Sequence, residues 1–247
     1  MTELKLPIAH ANGGPTIKVG SEKRETLTSE RVVSTALEIV DRDGLAKLSM
    51  RKLGAELQVD PMAVYYYIPN KAALLDGLVD AVMNELGVAR ERVPDEDVTE
   101  WFVTQFRLFW QTLRAHPNVL PVMATRPITG ESGLRSAECI LRELHSMGLP
   151  PDDAMAAMLS LTNMTIALAH SEAGRSPETM DPALKAKVEA CYVGLPPTEF
   201  PLFLAGLPQP YLKDWSRIFE FTIRTFLAGL ISTYGPDKAK PADQRGS

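Results

Sequence analysis

The stretch SMRKLGAELQVDPMAVYYYIPNKAALL, residues 49–75, decides how the chain is read. Ser49 is suited to capping a helix, and Leu48 and Leu53 flank that helix start as a hydrophobic staple. Met50, Leu53 and Leu57 then recur along one face. A second start follows almost at once, with Asp60 as cap, Pro61 at the first helical position and Val59 facing Val64 as staple. Asn70 opens a third. Two helices of about two turns, separated only by residues 58–60, have helix-turn-helix spacing. Gly54 costs the first of them about 1 kcal/mol of propensity against alanine, which is understood if the second helix crosses closely there.

Upstream, Thr28 can cap a helix whose inward stripe is Val32, Val33, Ala36, Leu37 and Val40, and Gly44 supplies its stop. Downstream, helical periodicity continues over roughly 98–115, 130–147, 152–173 and 211–233, with a short apolar piece at 119–125. The five prolines of residues 195–210 predict a long mobile connection or a short irregular helix. Alternating β-branched runs are few, so the fold expected is all-α. Four parts follow: a flexible arm over 1–26, a helix-turn-helix domain over 27–73, a larger domain over 74–234 and a flexible tail over 235–247.

Composition excludes several classes. With 247 residues and 45% apolar content the chain can bury a real core. A formal net charge of −5 offers no whole-chain case for nucleic acid, so any such binding must be local. Cys139 and Cys191 alone cannot make a disulfide scaffold and fit a reducing, cytoplasmic setting. Neither a signal peptide nor a membrane span is expected, since no apolar run is long enough.

On a helix starting at Pro61, Val64 and Ile68 form the stripe that packs against Leu53 and Leu57. Pro61, Met62, Ala63, Tyr65, Tyr66 and Tyr67 are left for the remaining face. Rigid rings bearing hydroxyls suit phosphate oxygens, while small apolar residues can approach base edges. Lys71 at the next helix start can meet a phosphate, and Arg51 can read guanine. The competing reading is three edge-packing aromatics with their hydroxyls in water. Charge does not separate the two, because nine basic residues between 17 and 71 face eight acids.

Context does. The segments LTSERVVSTALEIVDRDG, LSMRKLGAELQVD and PMAVYYYIPNKAALLDGL resemble the DNA-binding domain of the tetracycline-repressor family, and ATRPITG (residues 124–130) is similar to a turn in that family's effector domain. The resemblance implies an all-helical homodimer that binds a palindromic operator and releases it when a small molecule enters the larger domain. It places Arg51, Pro61, Met62 and Ala63 at bases, and Ser49, Tyr65, Tyr67 and Lys71 on the backbone. Tyr66 completes the tyrosine row.

The same resemblance argues against a magnesium-bound tetracycline. Gly87 and Val122, or Met123 with a one-residue gap, occupy the family's histidine positions, and neither binds metal. Gln105 replaces an asparagine and Glu138 a glutamine, while Phe109 and Thr125 remain. A less polar organic effector is implied, with no metal and no cofactor. Candidate lining residues are Gln105, Phe109, Trp110, Met123, Thr125, Arg126, Glu138, Leu141, Met158, Asn163 and Ala167. Ordinary core packing is the alternative for each. Asn163 and His170 fit equally an effector contact or hydrogen bonds within a dimer seam. Cys139, Glu138 and His145 supply at most three ligands, and a packed thiol is the reading preferred to a metal site. The two longest late helices are apolar on more than one face, so one face needs a partner, which the resemblance makes a two-fold four-helix seam.

Three rivals remain: an effector-independent regulator or activator using the same helix-turn-helix, an all-α enzyme, and an adaptor that binds protein through its tyrosines. No catalytic triad, phosphate loop or paired-carboxylate motif supports an enzyme.

Overall fold

The computed structural model describes residues 27–175, 180–206 and 214–235. The arm expected at 1–26 and the tail beyond Gly235 lie outside them. Every regular element among the described residues is helical. Four α-helices, α1 (Ser29–Asp43), α2 (Met50–Glu56), α3 (Pro61–Tyr67) and α4 (Lys71–Leu86), precede a longer set. That set is α5 (Val98–Ala115), α6 (Leu120–Met123), α7 (Glu131–Ser146), α8 (Pro151–Arg175), α9 (Pro182–Val193), α10 (Pro201–Gly206) and α11 (Trp215–Tyr234).

The expected caps are made. Thr28 Oγ1 accepts from the Arg31 N–H at 3.2 Å, Ser49 Oγ from Lys52 at 3.2 Å, Asp60 Oδ1 from Met62 at 2.8 Å and Asn70 Oδ1 from Ala73 at 2.8 Å. Each satisfies one donor that a helix start leaves open. Gly44 ends α1 at φ 85° and donates to the Val40 carbonyl. The end of α2 is less conventional. Gln58, with φ 57°, takes the left-handed position usually given to glycine, while Val59 N–H reaches back to the Gly54 carbonyl at 2.9 Å and Gln58 N–H to Ala55 at 3.2 Å.

Gly54 is required by the crossing of α2 and α3. A Cβ there would lie 3.0 Å from the Val59 carbonyl oxygen and 3.2 Å from Pro61 Cα. Beneath the crossing, Leu48, Leu53, Leu57, Val64 and Ile68 are buried together with Val32, Ala36, Ile39 and Val40 of α1. Salt bridges from Arg42 to Asp43 and Glu56, and from Lys52 to Asp43 at 2.8 Å, tie α1 to α2 on the outside.

One apolar core continues from these helices to α11, with Trp101, Phe102, Leu144, Leu161, Phe219 and Leu227 fully or almost fully buried. Each such side chain contributes about 1.5–3 kcal/mol relative to exposure. The inward stripe of α11 is Trp215, Phe219, Ile223 and Leu227, four residues apart, whereas Phe221 is 71% exposed. The periodicity predicts the last helix from 211; residues 211–213 lie outside the described set, and α11 begins at Trp215.

One expectation is corrected. Residues 182–193 were assigned no helix, yet α9 stands there, capped by Asp181. Its apolar positions follow no single stripe, and none of its residues is buried, so periodicity had nothing to register. In the proline-rich 195–210 segment, the short-helix alternative is the one found: α10 is started by Pro201 at a position where a missing N–H costs nothing.

Candidate nucleic-acid interface and effector cavity

α3 presents Met62, 72% exposed, and Tyr66, 85% exposed, with Tyr65 exposed beside them. Tyr67 is half-buried against the core and meets Tyr66 edge to face, with ring centroids 5.2 Å apart. Three consecutive tyrosines thus divide: two reach outward, and the third braces the row. Pro61 and Ala63 are partly buried on the same short helix, and Arg51 and Lys71 are exposed. Lys71 is the first residue of α4, where open backbone N–H groups favour an anion. Ser49 is exposed, but its oxygen already caps α2; its hydroxyl proton is the part left to give.

A cavity of about 660 Å³ lies among α4, α5, α7 and α8, under the turn of residues 124–130. That volume suits a drug-sized molecule. Of the residues expected from the sequence, Gln105, Phe109, Met123, Thr125, Arg126, Met158 and Asn163 line it. Sequence reasoning missed Met83, Leu86, Arg90, Phe106, Ile128, Ser136, Met155 and Ile166, which the packing brings in from α4, the 87–97 loop, α5, the 124–130 turn, α7 and α8.

The other expected residues stand elsewhere. Trp110 is turned away, stacked on Phe219 with centroids 5.0 Å apart, and the Arg114 guanidinium sits 4.9 Å from its ring. Arg114 also pairs at 3.0 Å with Glu172, whose carboxyl burial nevertheless pushes up. Glu138 belongs to a neighbouring depression with Glu91, Arg135 and Arg142. Leu141 packs against the core outside the cavity, and Ala167 is exposed on α8. Helical spacing alone could not tell these faces apart, because α5 and α8 carry apolar residues on several sides.

The cavity is mostly apolar, with Met83, Met123, Met155 and Met158 as adaptable lining. Its polar groups differ in how committed they are. Thr125 Oγ1 donates to the Pro121 or Val122 carbonyl, at 3.0 and 3.2 Å. Ser136 Oγ accepts from Ala89 N–H at 2.9 Å, and Arg90 is paired with Glu96. Gln105 is only 8% exposed and its Nε2 has no hydrogen-bond partner. A buried amide left so costs about 1–3 kcal/mol, a cost a ligand acceptor can recover.

The turn over the cavity grips α4 at two successive turns. Arg126 Nη1 donates to Asp76 Oδ1 at 2.5 Å and to the Ala72 carbonyl at 3.3 Å, and Gly130 N–H donates to Asp80 Oδ1 at 2.8 Å. Next to Asp76, Gly77 lets α4 press on α1, where an added Cβ would strike Val33 Cγ2 at 2.8 Å. The same part of α4 therefore touches the cavity turn on one side and the helix-turn-helix on the other.

Cys139 is buried, and burial raises its thiol pKa. Among the described residues no group of three or more histidine, cysteine or acidic side chains is arranged to hold a metal, and no helix is long and apolar enough to cross a membrane.

Residues 93–234 match the family model described as "Tetracyclin repressor-like, C-terminal domain". A helix-turn-helix transcriptional regulator of Saccharopolyspora erythraea is 28% identical over 221 residues, covering 87% of this chain and 89% of that one. The repressor DrrR1 of Streptomyces coeruleorubidus is 34% identical over 152 residues, 60% of this chain and 55% of its own length. In three dimensions the chain is similar to ActR of Streptomyces coelicolor, solved in complex with actinorhodin. The TM-score is 0.74 at 28% identity, over 84% of this chain and 98% of that one. With the family model matching more than half of its length, this chain belongs to the tetracycline-repressor (TetR) family of transcriptional regulators.

Proposed function

We propose that this protein is a homodimeric, sequence-specific transcriptional repressor that leaves a palindromic operator when a flat, oxygenated organic molecule enters its cavity. The observation that carries this reading is the grip of the cavity turn on α4 through Asp76 and Asp80, beside the Gly77 contact with α1. A ligand seated against Met123 and Ile128 displaces that turn, α4 tilts, and α1 to α3 move with it. Half-sites about one helical turn, roughly 34 Å, apart tolerate little change in spacing. A ligand favouring the spread state by about 3 kcal/mol weakens the operator complex on the order of 150-fold.

Within each half-site, Arg51, Pro61, Met62 and Ala63 face bases, while Ser49, Tyr65, Tyr66, Tyr67 and Lys71 hold phosphates. The effector class follows from the cavity: an apolar volume of about 660 Å³ and one unsatisfied amide donor at Gln105 suit a polycyclic molecule with a carbonyl or phenolate edge. The complex of ActR with actinorhodin supports that class. Magnesium-bound tetracycline fits poorly, since Gly87 and Met123 offer no metal ligand to the cavity.

The dimer is supported by apolar surface exposed among the described residues. Leu159 of α8 and Phe221 of α11 are half or more exposed, and Asn163, Ala167 and His170 share an exposed face of α8. α9 and α10 add Leu184, Val193, Leu202 and Phe203, also exposed.

The test is binding of the purified protein to DNA from its own promoter region, against a scrambled duplex, as a function of salt. Specific binding with a log-log slope of several phosphates is expected. Equal weak binding to both duplexes would sink the reading. Unchanged operator affinity across a broad panel of polycyclic compounds would instead favour an effector-independent regulator.

A further inference from the structure

His116 ends α5 at the junction of three elements, and its residue is only 9% exposed. Its Nδ1 lies 2.8 Å from Asp41 Oδ2, near the end of α1, and its Nε2 lies 2.9 Å from Glu85 Oε2, near the end of α4. Carboxylates only accept. Both bonds therefore exist together only when both ring nitrogens carry hydrogen, as in the imidazolium. Asp41 Oδ1 is buried with no hydrogen-bond partner, so this carboxylate's neutralisation falls to the ring beside it. Two residues on, Asn118 Nδ2 donates to the carbonyls of Val40 at 3.0 Å and Asp41 at 3.1 Å, fixing the same end of α1.

The charges facing the ring are Asp41 from α1 and Glu85 from α4. Arg114 of α5 is taken up by Glu172 of α8, and Arg42 of α1 by Asp43 and Glu56. Burial works against charging the ring, but the two carboxylates outweigh it and hold the imidazole's pKa above its ordinary value.

We propose that His116 is a positioning residue for operator binding: its protonated ring closes a joint that sets the helix-turn-helix against α4 and α5. The inference rests on the DNA-binding reading above. When the ring is neutral, one nitrogen can donate and the other turns a lone pair toward a carboxylate, so one side of the joint opens. The folded pKa is raised, so closure is complete below histidine's ordinary pKa and is lost as pH rises through the raised value. A palindromic operator needs two heads at a fixed spacing, which the closed joint provides. Operator binding therefore retains or takes up the proton, and affinity falls as pH rises.

The experiment measures affinity of the full-length protein for its own promoter DNA at constant salt, from about pH 6 to about pH 8.5. It compares wild type, His116→Gln and Glu85→Gln, with the ring nitrogens of His116 followed by NMR. Wild type is expected to lose roughly threefold or more in affinity across the range, with both ring nitrogens protonated at its acid end. His116→Gln, which cannot gain the proton, is expected to show a flat profile. Glu85→Gln, with one carboxylate gone, is expected to keep the slope at lower pH, which a merely structural role would not produce. If His116→Gln fails to fold, the Glu85→Gln profile and the ring titration decide. Specific wild-type binding that does not vary with pH, an unchanged slope in His116→Gln, or a neutral ring at the acid end would each overturn the joint. Absence of specific binding at every pH would overturn the DNA-binding reading, and the joint's role in it.

Discussion

Arg126 Nη1 lies 2.5 Å from Asp76 Oδ1, so a residue lining the cavity is bonded directly to the helix that carries the DNA-binding head. Both side chains are partly exposed, which keeps the pair's own contribution to stability at about 1 kcal/mol or less. Its value is in coupling. Arg126→Ala and Asp76→Asn are expected to bind operator nearly as wild type does while losing most of the ligand response, to tenfold or less from about 150-fold. The ratio of operator Kd with and without 1,8-dihydroxyanthraquinone reads this, and an unaltered ratio in both variants would place the coupling elsewhere.

Gln105 holds a buried amide nitrogen that finds no hydrogen-bond partner among the groups around it. Replacing it with leucine, similar in size and apolar, is expected to raise the stability of the unliganded protein by about 1 kcal/mol. The same change should weaken binding of the dihydroxyanthraquinone roughly tenfold. Thermal unfolding and fluorescence titration report the two effects separately, and a destabilised Gln105→Leu with undiminished ligand affinity would contradict the assignment.

Tyr65 and Tyr66 are exposed, whereas Tyr67 is half-buried beneath them. Tyr65→Phe and Tyr67→Phe are expected to cost about 0.5–1.5 kcal/mol each in operator affinity, with little change in folding stability. Lys71→Ala should lower the salt slope by about 1, and Arg51→Ala should cost about 1–3 kcal/mol and relax preference at one base position. Salt-dependent titrations on specific and scrambled duplexes separate these cases. An adaptor that used the tyrosines on protein would bind its partner unchanged after Arg51→Ala and Lys71→Ala.

At Gly54, alanine would gain about 1 kcal/mol of helix propensity but bring its Cβ within 3.0 Å of a backbone oxygen and 3.2 Å of Pro61 Cα. Backbone must then move, at about 1–3 kcal/mol, and the part that moves is the start of α3. Gly54→Ala is expected to lose operator affinity out of proportion to its small net loss of stability. Denaturant unfolding beside operator titration measures both, and parallel changes would show that α3 had not been re-aimed.

The helix-turn-helix was legible because its signals are local. Thr28, Ser49, Asp60 and Asn70 each cap a helix within three residues of themselves, Gly44 and Pro61 restrict their own backbone, and Gly54 records a crossing only a few residues away. Physical chemistry of that range is written in spacing. Half or more of the candidate cavity residues could also be chosen from apolar faces and the resemblance. Which of two faces on α5 turned inward could not: Trp110 and Phe109 are neighbours, and only the stacking of Trp110 on Phe219 of α11 decides that Phe109 meets the cavity. α9 gave no periodic signal, because its monomer surroundings bury nothing. The grip of Arg126 and Gly130 on Asp76 and Asp80, and the meeting of His116 with Asp41 and Glu85, join residues dozens of positions apart. Caps, stops and the choice of an all-helical fold were determined by the sequence itself, since each depends on neighbours along the chain. The cavity's walls and its connection to the DNA-binding head were decided only by tertiary structure, since charge pairs and side-chain faces are set by how the helices pack.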